Sequence, residues 1–156
     1  MQVYTDGSHS IKPRLSGYGA VIISEGKEYQ IGGYNQKCLD NNVAEIMAIA
    51  FALKFIKDNL LNKSFEKSIT IFSDSAYALR KIKQQSMGRN KEEQAMLDYI
   101  QRFISNTKKK VHFFQIKGHT HDGTKISHYN HCADRLANQF RQYGLESLNK
   151  PFNRYI

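Results

Sequence analysis

Residues 68–78 read SITIFSDSAYA, an apolar, β-branched run that ends at Asp74-Ser75. Such a run is typical of a buried strand, and Asp and Ser are residues that favour helix starts. We therefore predict a strand over residues 68–73 and a helix that opens at Asp74-Ser75 and continues to about residue 85. A strand that leads directly into a helix is typical of α/β folds, in which reactive groups lie at the carboxyl ends of strands.

The sequence on either side supplies the other elements. Gly26 marks a tight connection between two strands, and the segment GSHSIKPRLSGYG is interpreted as a loop because it is rich in Gly and Ser. Helical spacing after residue 40 favours a helix with Asn41 or Asn42 as its N-cap and Glu45 in its first turn. The remaining strands are predicted over 2–5, 17–24, 27–34 and 111–116, and the helices over 41–59, 91–107 and 130–144.

This order of elements predicts an α/β fold. It consists of a mixed five-stranded sheet, a three-strand antiparallel meander plus two parallel strands, with helices on both faces. A chain of 156 residues with 40% hydrophobic content suits a single domain over residues 1–156. We expect its core over about 2–143 and a C-terminal tail of coil over 144–156.

Net charge and cysteine content indicate the kind of partner and the cellular compartment. The formal net charge of +9 favours a polyanionic partner such as nucleic acid, although a solvated basic surface is the alternative. Cys38 and Cys132 lie far apart without a CxxC spacing, which fits a reduced, cytoplasmic protein. The start MQVYTDGS enters a strand pattern directly, and no apolar run approaches the length of a membrane span. We therefore expect no membrane association.

Four acids occur where local structure holds a side chain in place: Asp6, Glu45, Asp74 and Asp134. Oxygen ligands without cysteine suit hard divalent cations, so the set predicts a site for two Mg²⁺ ions, with Mn²⁺ as a substitute. Two metals about 4 Å apart can activate a water and stabilise the leaving oxygen in phosphodiester hydrolysis. For each acid taken singly, a helix cap or a turn is the alternative interpretation.

The contexts of the four acids are DGS, NNxxE, SDS and HxxAD, and in this order they resemble the motifs of the type I ribonuclease H family, with some resemblance to its retroviral domains. The match covers about residues 2–143. It implies a ribonuclease H-like fold and hydrolysis of the RNA strand of an RNA–DNA hybrid, leaving 3′-hydroxyl and 5′-phosphate ends. By resemblance, Asp6 bridges both metals, Glu45 and Asp74 complete one side, and Asp134 supports the other metal.

The resemblance also implies a catalytic histidine. Lys117-Gly118-His119 matches the family's KGH motif, so His119 is expected to assist proton transfer or product release, with His121 as the competitor. The loop over 119–130 is longer than in the common bacterial form and resembles the retroviral version. Structural zinc is the alternative for this histidine-rich stretch, but its spacings match no zinc pattern.

Substrate contacts are expected around two of the motifs. By resemblance, Asn41 and Asn42 lie beside the minor groove of the hybrid, where a 2′-hydroxyl distinguishes RNA from DNA. Helix capping is the rival interpretation of these two residues. Gly7 and Ser8 are expected to let the backbone approach the RNA strand.

Two departures from the family concern the DNA strand. Asp40 stands where many relatives carry a Thr that helps hold a DNA phosphate, and an acid there would repel that phosphate. The Trp-rich basic protrusion of the bacterial enzyme is missing, because the chain contains no Trp. Its only remnant would be four basic residues, which solvation alone could also explain: Lys81, Lys83, Arg89 and Lys91.

Two other functions remain open at this point. One is a resolvase or exonuclease relative that acts on DNA, and the other is a non-catalytic ribonuclease H-like module that binds nucleic acid. The NNxxE and KGH motifs favour the hybrid nuclease over both, and none of the four acids is missing. We expect a monomer that needs no small-molecule cofactor. Whether the chain works alone or derives from a larger polypeptide stays open.

Overall fold

The computed structural model describes residues 1–38 and 40–149. They form one five-stranded sheet in the order β3-β2-β1-β4-β5, in which β1 pairs antiparallel with β2 and parallel with β4. This is the predicted fold class. The strands are β1 Gln2–Ser10, β2 Leu15–Ser24, β3 Lys27–Asn35, β4 Ser68–Ser73 and β5 Lys110–Gln115, and the helices are α1 Asn41–Asn59, α2 Ala76–Lys83, α3 Lys91–Asn106 and α4 Lys125–Asn149.

The first hairpin is longer than the sequence indicated. Most of the segment predicted as a loop belongs to β1 and β2, which pair from Gln2↔Ile23 to Ser10↔Leu15, so the turn comprises only residues 11–14. Gly17 and Gly19 lie in β2, within the strand predicted over 17–24, and they serve a packing purpose. A Cβ on Gly17 would lie 2.1 Å from the carbonyl oxygen of Ala137, so only glycine lets α4 approach β2 this closely.

Asp6 lies in the middle of β1 rather than at its end. The parallel pairing of β1 with β4 nevertheless stops at Tyr4↔Phe72, and β4 itself ends at Ser73. Asp6 therefore lies where β1 continues past the end of β4, and Asp74 follows β4 directly. The two carboxylates come together at this edge of the parallel pairs, as α/β topology predicts.

Helices cover both faces of the sheet. The larger core, which includes Val3, Ile22 and Ile71, packs against the apolar faces of α1, α2 and α3. On the opposite face Tyr4 and Val21 pack against α4, which crosses β1, β2 and β3. Neighbouring strand residues thus face different helices, as the alternation of side chains along a strand requires.

The last helix is wrongly placed by the sequence prediction at both ends. It starts at Lys125 because Thr124 accepts a hydrogen bond from the Ser127 N–H (3.1 Å), the geometry of an N-terminal cap. It also runs through Gly144, whose missing side chain leaves room for Leu15. Residues 144–149 are therefore helical rather than coil, and the rest of the predicted tail, residues 150–156, lies outside the described residues. The extent of the domain stays a prediction.

Within residues 1–38 and 40–149, no helix combines the length and apolar character that crossing a bilayer requires.

Candidate metal centre

Three of the four predicted acids meet at one point. Ligand oxygens of Asp6 on β1, Glu45 on α1 and Asp74 after β4 all lie within 4.8 Å of one another. Asp6 and Glu45 are buried, and Asp74 is half-buried. Three carboxylates this close concentrate negative charge. Among the described residues, no Lys or Arg forms a hydrogen bond or an ion pair with any of the three.

Close packing of β1 on α1 places Glu45. A Cβ on Gly7 would lie 2.4 Å from the carbonyl carbon of Ala44, so a glycine is required for the strand and the helix to touch here. The Gly7 N–H also donates to Oε2 of Glu45 at 3.1 Å. Glu45 is the fifth residue of α1 and therefore lies just beyond the predicted first turn.

Asp74 is held between β4 and the loop after β5. A Cβ on Gly118 would lie 2.6 Å from Oδ2 of Asp74, so the glycine of the KGH motif leaves space for the carboxylate. Ser75, rather than Asp74, caps α2 by accepting from the Ala78 N–H at 3.1 Å. The capping interpretation of Asp74 is therefore wrong, and its side chain is available to the centre.

Asp134 reaches the centre from α4, and Asn138 on the next turn orients it. Nδ2 of Asn138 donates to Oδ1 of Asp134 at 3.0 Å, while Oδ1 of Asn138 accepts from the Ser8 hydroxyl at 2.8 Å. Asn138 thus links α4 to β1 beside Asp6. The sequence analysis missed it, although its position four residues after Asp134 on a helix was a signal.

Mutual repulsion and burial disturb the ionisation of the cluster. Burial first, and then the charges of the other acids, hold the pKa of Asp6 far above its usual range. Burial and the nearby Asp74 charge likewise raise the pKa of Glu45, although the hydrogen bond from Gly7 opposes this. The pKa of Asp74 is also raised, mainly by burial. Acids whose pKa values are raised for lack of a counter-charge suit a divalent cation, which supplies that charge.

His119 and His121 occupy different surroundings. His119 is exposed, has a left-handed backbone (φ 53°), and its charge lowers the pKa of Asp74 against the effect of burial. The ring of His121 instead packs edge-on against His131 at 5.3 Å between centroids. The geometry therefore favours His119 as the histidine that acts at the carboxylates. The only cluster of at least three metal-ligating side chains among the described residues is the acidic one.

Neither Asn41 nor Asn42 caps α1. The N-cap is Asp40, whose Oδ1 accepts from the Val43 N–H at 3.1 Å, so the two asparagines are the first helical residues and are exposed. The capping interpretation of this pair was wrong, because the stronger cap stands one residue earlier.

The negative charge of Asp40 is paired with a positive one. Its carboxylate accepts from both terminal nitrogens of Arg89, at 2.8 and 2.9 Å, in a two-pronged ion pair. The Arg89 guanidinium holds the pKa of Asp40 below its usual range. The acid at residue 40 is therefore paired, although the same guanidinium also pairs with Glu93, and the repulsion of a DNA phosphate stays a prediction.

Two of the four basic residues proposed as a DNA grip have internal partners. Arg89 additionally donates to the buried Glu93, which accepts from the Tyr77 hydroxyl at 2.6 Å. Lys81 donates to the carbonyl oxygen of Met87 at 2.6 Å. These contacts fix the α2–α3 connection, whereas Lys83 and Lys91 are exposed and form no side-chain hydrogen bond or ion pair with the described residues.

Asn138→Ala is expected to weaken metal binding, because it removes the hydrogen bond that orients Asp134. Loss of such an outer contact costs about 10- to 100-fold in metal affinity or activity. The measurement is the metal concentration that gives half-maximal cleavage. Gln139→Ala, the exposed neighbour on α4, is the matched control; equal behaviour of both variants would show that Asn138 does not position the acid.

Comparison with known proteins agrees with this geometry. The family model described as RNase H matches residues 1–142. A ribonuclease H of Acetivibrio thermocellus is 29% identical over 148 residues, covering 88% of this chain and 91% of the relative. One from Caldicellulosiruptor saccharolyticus is 29% identical over 145 residues, covering 86% and 91%.

Solved structures share the fold. LC11-RNase H1, crystallised in complex with an RNA/DNA hybrid, superposes with a TM-score of 0.73 at 22% identity and covers 92% of this chain and 98% of its own. The protease–reverse transcriptase of prototype foamy virus superposes with a TM-score of 0.69 at 21% identity, covering 90% of this chain and 20% of the viral one. Because the family model matches residues 1–142 of the 156, the chain belongs to the ribonuclease H family.

Proposed function

We propose that this ribonuclease H hydrolyses the RNA strand of RNA–DNA hybrids with two divalent cations, Mg²⁺ with Mn²⁺ as a substitute. The observation that carries the proposal is the convergence of Asp6, Glu45 and Asp74 within 4.8 Å at the edge of the sheet. Such a cluster of hard oxygen ligands suits Mg²⁺, which binds a few carboxylates and completes its shell with water and phosphate.

The chain's own residues have separable roles in this proposal. Asp6, between Glu45, Asp74 and Asp134, would contact both cations, and the other three acids would complete the two shells. When bound, the cations supply an activated water and neutralise charge on the leaving oxygen. Asn138 keeps Asp134 in position.

His119 is proposed to move a proton at the cluster, because it is exposed and its charge acts on Asp74. His119→Ala is expected to lower kcat by about 10²-fold, the lower end of what a positioned proton-transfer group contributes. His121→Ala, the matched control, should retain the rate. Initial rates of hybrid cleavage measure both, and a larger loss in His121→Ala would reverse the assignment.

Asn41, Asn42, Gly7 and Ser8 remain proposed substrate contacts. The exposure of both asparagines at the start of α1 supports hydrogen bonds to a 2′-hydroxyl. Gly7 and Ser8 are buried and make internal contacts to Glu45 and Asn138, so any contribution to the substrate would pass through their backbone. The hybrid-bound LC11-RNase H1 has the same fold, which supports the hybrid as substrate.

A metal-titrated cleavage assay tests the proposed function. We expect the full chain to cut the RNA strand of a defined hybrid, with little cleavage of double-stranded RNA or branched DNA. Hybrids with one, several or many ribonucleotides extend the test, because cutting at a lone ribonucleotide would indicate another type of ribonuclease H. Preferred cleavage of branched DNA would favour the resolvase alternative, and binding without cleavage would favour the non-catalytic module.

We also propose an oligomeric state and a cellular location. We infer a monomer without a small-molecule cofactor, since one chain contributes all four acids. A cytoplasmic location is supported by Cys38 and Cys132, which are both buried and free thiols.

A further inference from the structure

Among the described residues, one part of the sheet is left largely uncovered by the helices. Helix α4 packs mainly on the three strands of the meander, so no described helix extends across the same face of β4 and β5. Six side chains project there in paired rows, since Ser68, Thr70 and Phe72 of β4 lie beside Lys110, His112 and Phe114 of β5. We call this surface the open face.

Aromatic rings form a row across the open face. Tyr4 stacks on Phe72 at 4.8 Å between centroids with an interplanar angle of 11°, and Phe72 stacks on Phe114 at 6.0 Å. Phe114 ends the row on the edge strand and is 53% exposed. The row begins beside the metal centre, because Asp6 and Asp74 follow Tyr4 and Phe72 by two residues on the same side of their strands.

At its other end the open face runs into a basic cleft of about 890 Å³. Ser68, Lys110 and His112 line both surfaces, and the cleft adds Lys67, Lys108 and the ring of Phe65. Phe65 is 93% exposed, so its ring is accessible to a partner.

The charges of this cleft are arranged for an anion. Lys67, Lys108 and Lys110 are exposed and take part in none of the ion pairs found among the described residues. The one acid in the lining, Glu66, is paired with the amino group of Met1 at 3.2 Å. Lys109 instead turns inward and donates to the carbonyl oxygens of Ser64 and Glu66, which fixes the cleft wall.

We propose that the open face and the basic cleft form a binding track for single-stranded nucleic acid leading away from the metal centre. Unpaired bases would stack on Phe114 and Phe65, while Lys67, Lys108 and Lys110 contact phosphates, the combination that single-strand-binding surfaces use. A duplex cannot use this track in that way, because its base faces are already stacked on one another. From Lys110 to Phe114 the track follows β5 for about 13 Å.

The choice of a nucleic acid as occupant rests on the proposed function, but the track does not take part in cleavage. It would hold an unpaired extension of a strand whose hybrid portion lies at the carboxylates. The enzyme would then bind a hybrid with a single-stranded overhang more tightly than a blunt hybrid of the same length.

The test measures binding of a fluorescent DNA oligonucleotide of about 12 nucleotides, within the site sizes such surfaces accept. The full chain is used in EDTA, so that no cutting occurs. Fluorescence anisotropy is expected to show a Kd at least about fivefold higher for Phe114→Ala and Phe65→Ala, the loss of one base stack. Phe114→Tyr should keep wild-type affinity.

Two lysine-to-glutamate variants, which change the net charge equally, provide the control. Lys110→Glu, at the first residue of β5, should weaken binding and reduce its salt dependence. Lys27→Glu, at the first residue of β3 on the opposite edge of the sheet, should not. Circular dichroism verifies that each variant is folded. Unchanged affinity in Phe114→Ala, Phe65→Ala and Lys110→Glu together would overturn the proposal.

Two further measurements would show that the track binds a general anion or a second copy of the chain instead. Polyglutamate that displaces the probe equally from wild type and from Phe65→Ala would reveal a general anion patch and overturn the proposal. A wild-type dimer in sedimentation that becomes a monomer in Phe114→Ala would identify a second copy as the occupant and do the same. Cleavage of a blunt hybrid should be unchanged in Phe65→Ala, because the track does not take part in cleavage. If the wild-type protein cut no hybrid, the proposed function would be refuted, but single-strand binding could still be measured.

Discussion

Asp6→Asn is expected to abolish metal-dependent cleavage of the hybrid, with kcat falling by at least about 10³-fold, the upper end of the effect of removing one electrostatic group from an active site. Asp6 lies among the other three acids, and a neutral amide there loses both negative charge and ligand capacity. Gel analysis of the labelled RNA strand at saturating Mg²⁺ provides the rate. Asp74→Asn should behave in the same way.

The control for this result is Asp58→Asn, an exposed acid on α1 that pairs with Lys54 on the surface. It should retain the wild-type rate. Asp6→Asn must also remain folded, and removal of a buried charge from a repulsive cluster should make the metal-free protein more stable. Retained cleavage in folded Asp6→Asn would defeat the assignment of the metal centre.

In EDTA, the free energy of unfolding is expected to fall as the pH rises from the acidic range through neutrality. Asp6 and Glu45 have pKa values in the folded protein above their ordinary values of 3.8 and 4.5. The folded state therefore binds more protons than the unfolded state, and the associated stability is fully present below those ordinary values and lost as the pH rises through the raised ones. The expected loss is at least about 3 kcal/mol, the equivalent of two pKa units.

Urea unfolding at a series of pH values measures this effect. Mg²⁺ should restore stability most strongly at the alkaline end, because there the cation binds ionised carboxylates without displacing protons. Asp6→Asn should flatten the pH dependence, whereas Asp58→Asn should leave it unchanged. A stability that rose with pH in EDTA would contradict the raised pKa values.

Periodicity was enough to predict most of the fold. The bounds of α1 and β4 agree with the sequence prediction, because each is a single uninterrupted apolar pattern. The long first hairpin was not foreseen, since the Gly and Ser residues between 7 and 16 favour loops by local preference. The packing role of Gly17 depends on α4, which lies more than a hundred residues later and is invisible to a local pattern.

The candidate site was likewise predicted only where local sequence patterns determine it. Motifs located all four acids, but not the side chains that hold them, because those contacts join distant segments. Arg89 lies 49 residues from Asp40, and the hydroxyl of Ser8 meets Asn138 across 130 positions. A helix cap at Asp40 was within reach of sequence reasoning, whereas its ion pair depends on where the α2–α3 connection lies in space.

The wide separation of the four acids affects the chain while it is being synthesised. Asp6, Glu45 and Asp74 belong to the first half of the sequence, but Asp134 and its partner Asn138 arrive with α4, the last element described. A nascent chain could gather three carboxylates and still lack the fourth until α4 had left the ribosome and docked on the meander. Nuclease activity would then begin only when folding is complete, so unfinished chains would not cut nucleic acid near the site of their synthesis.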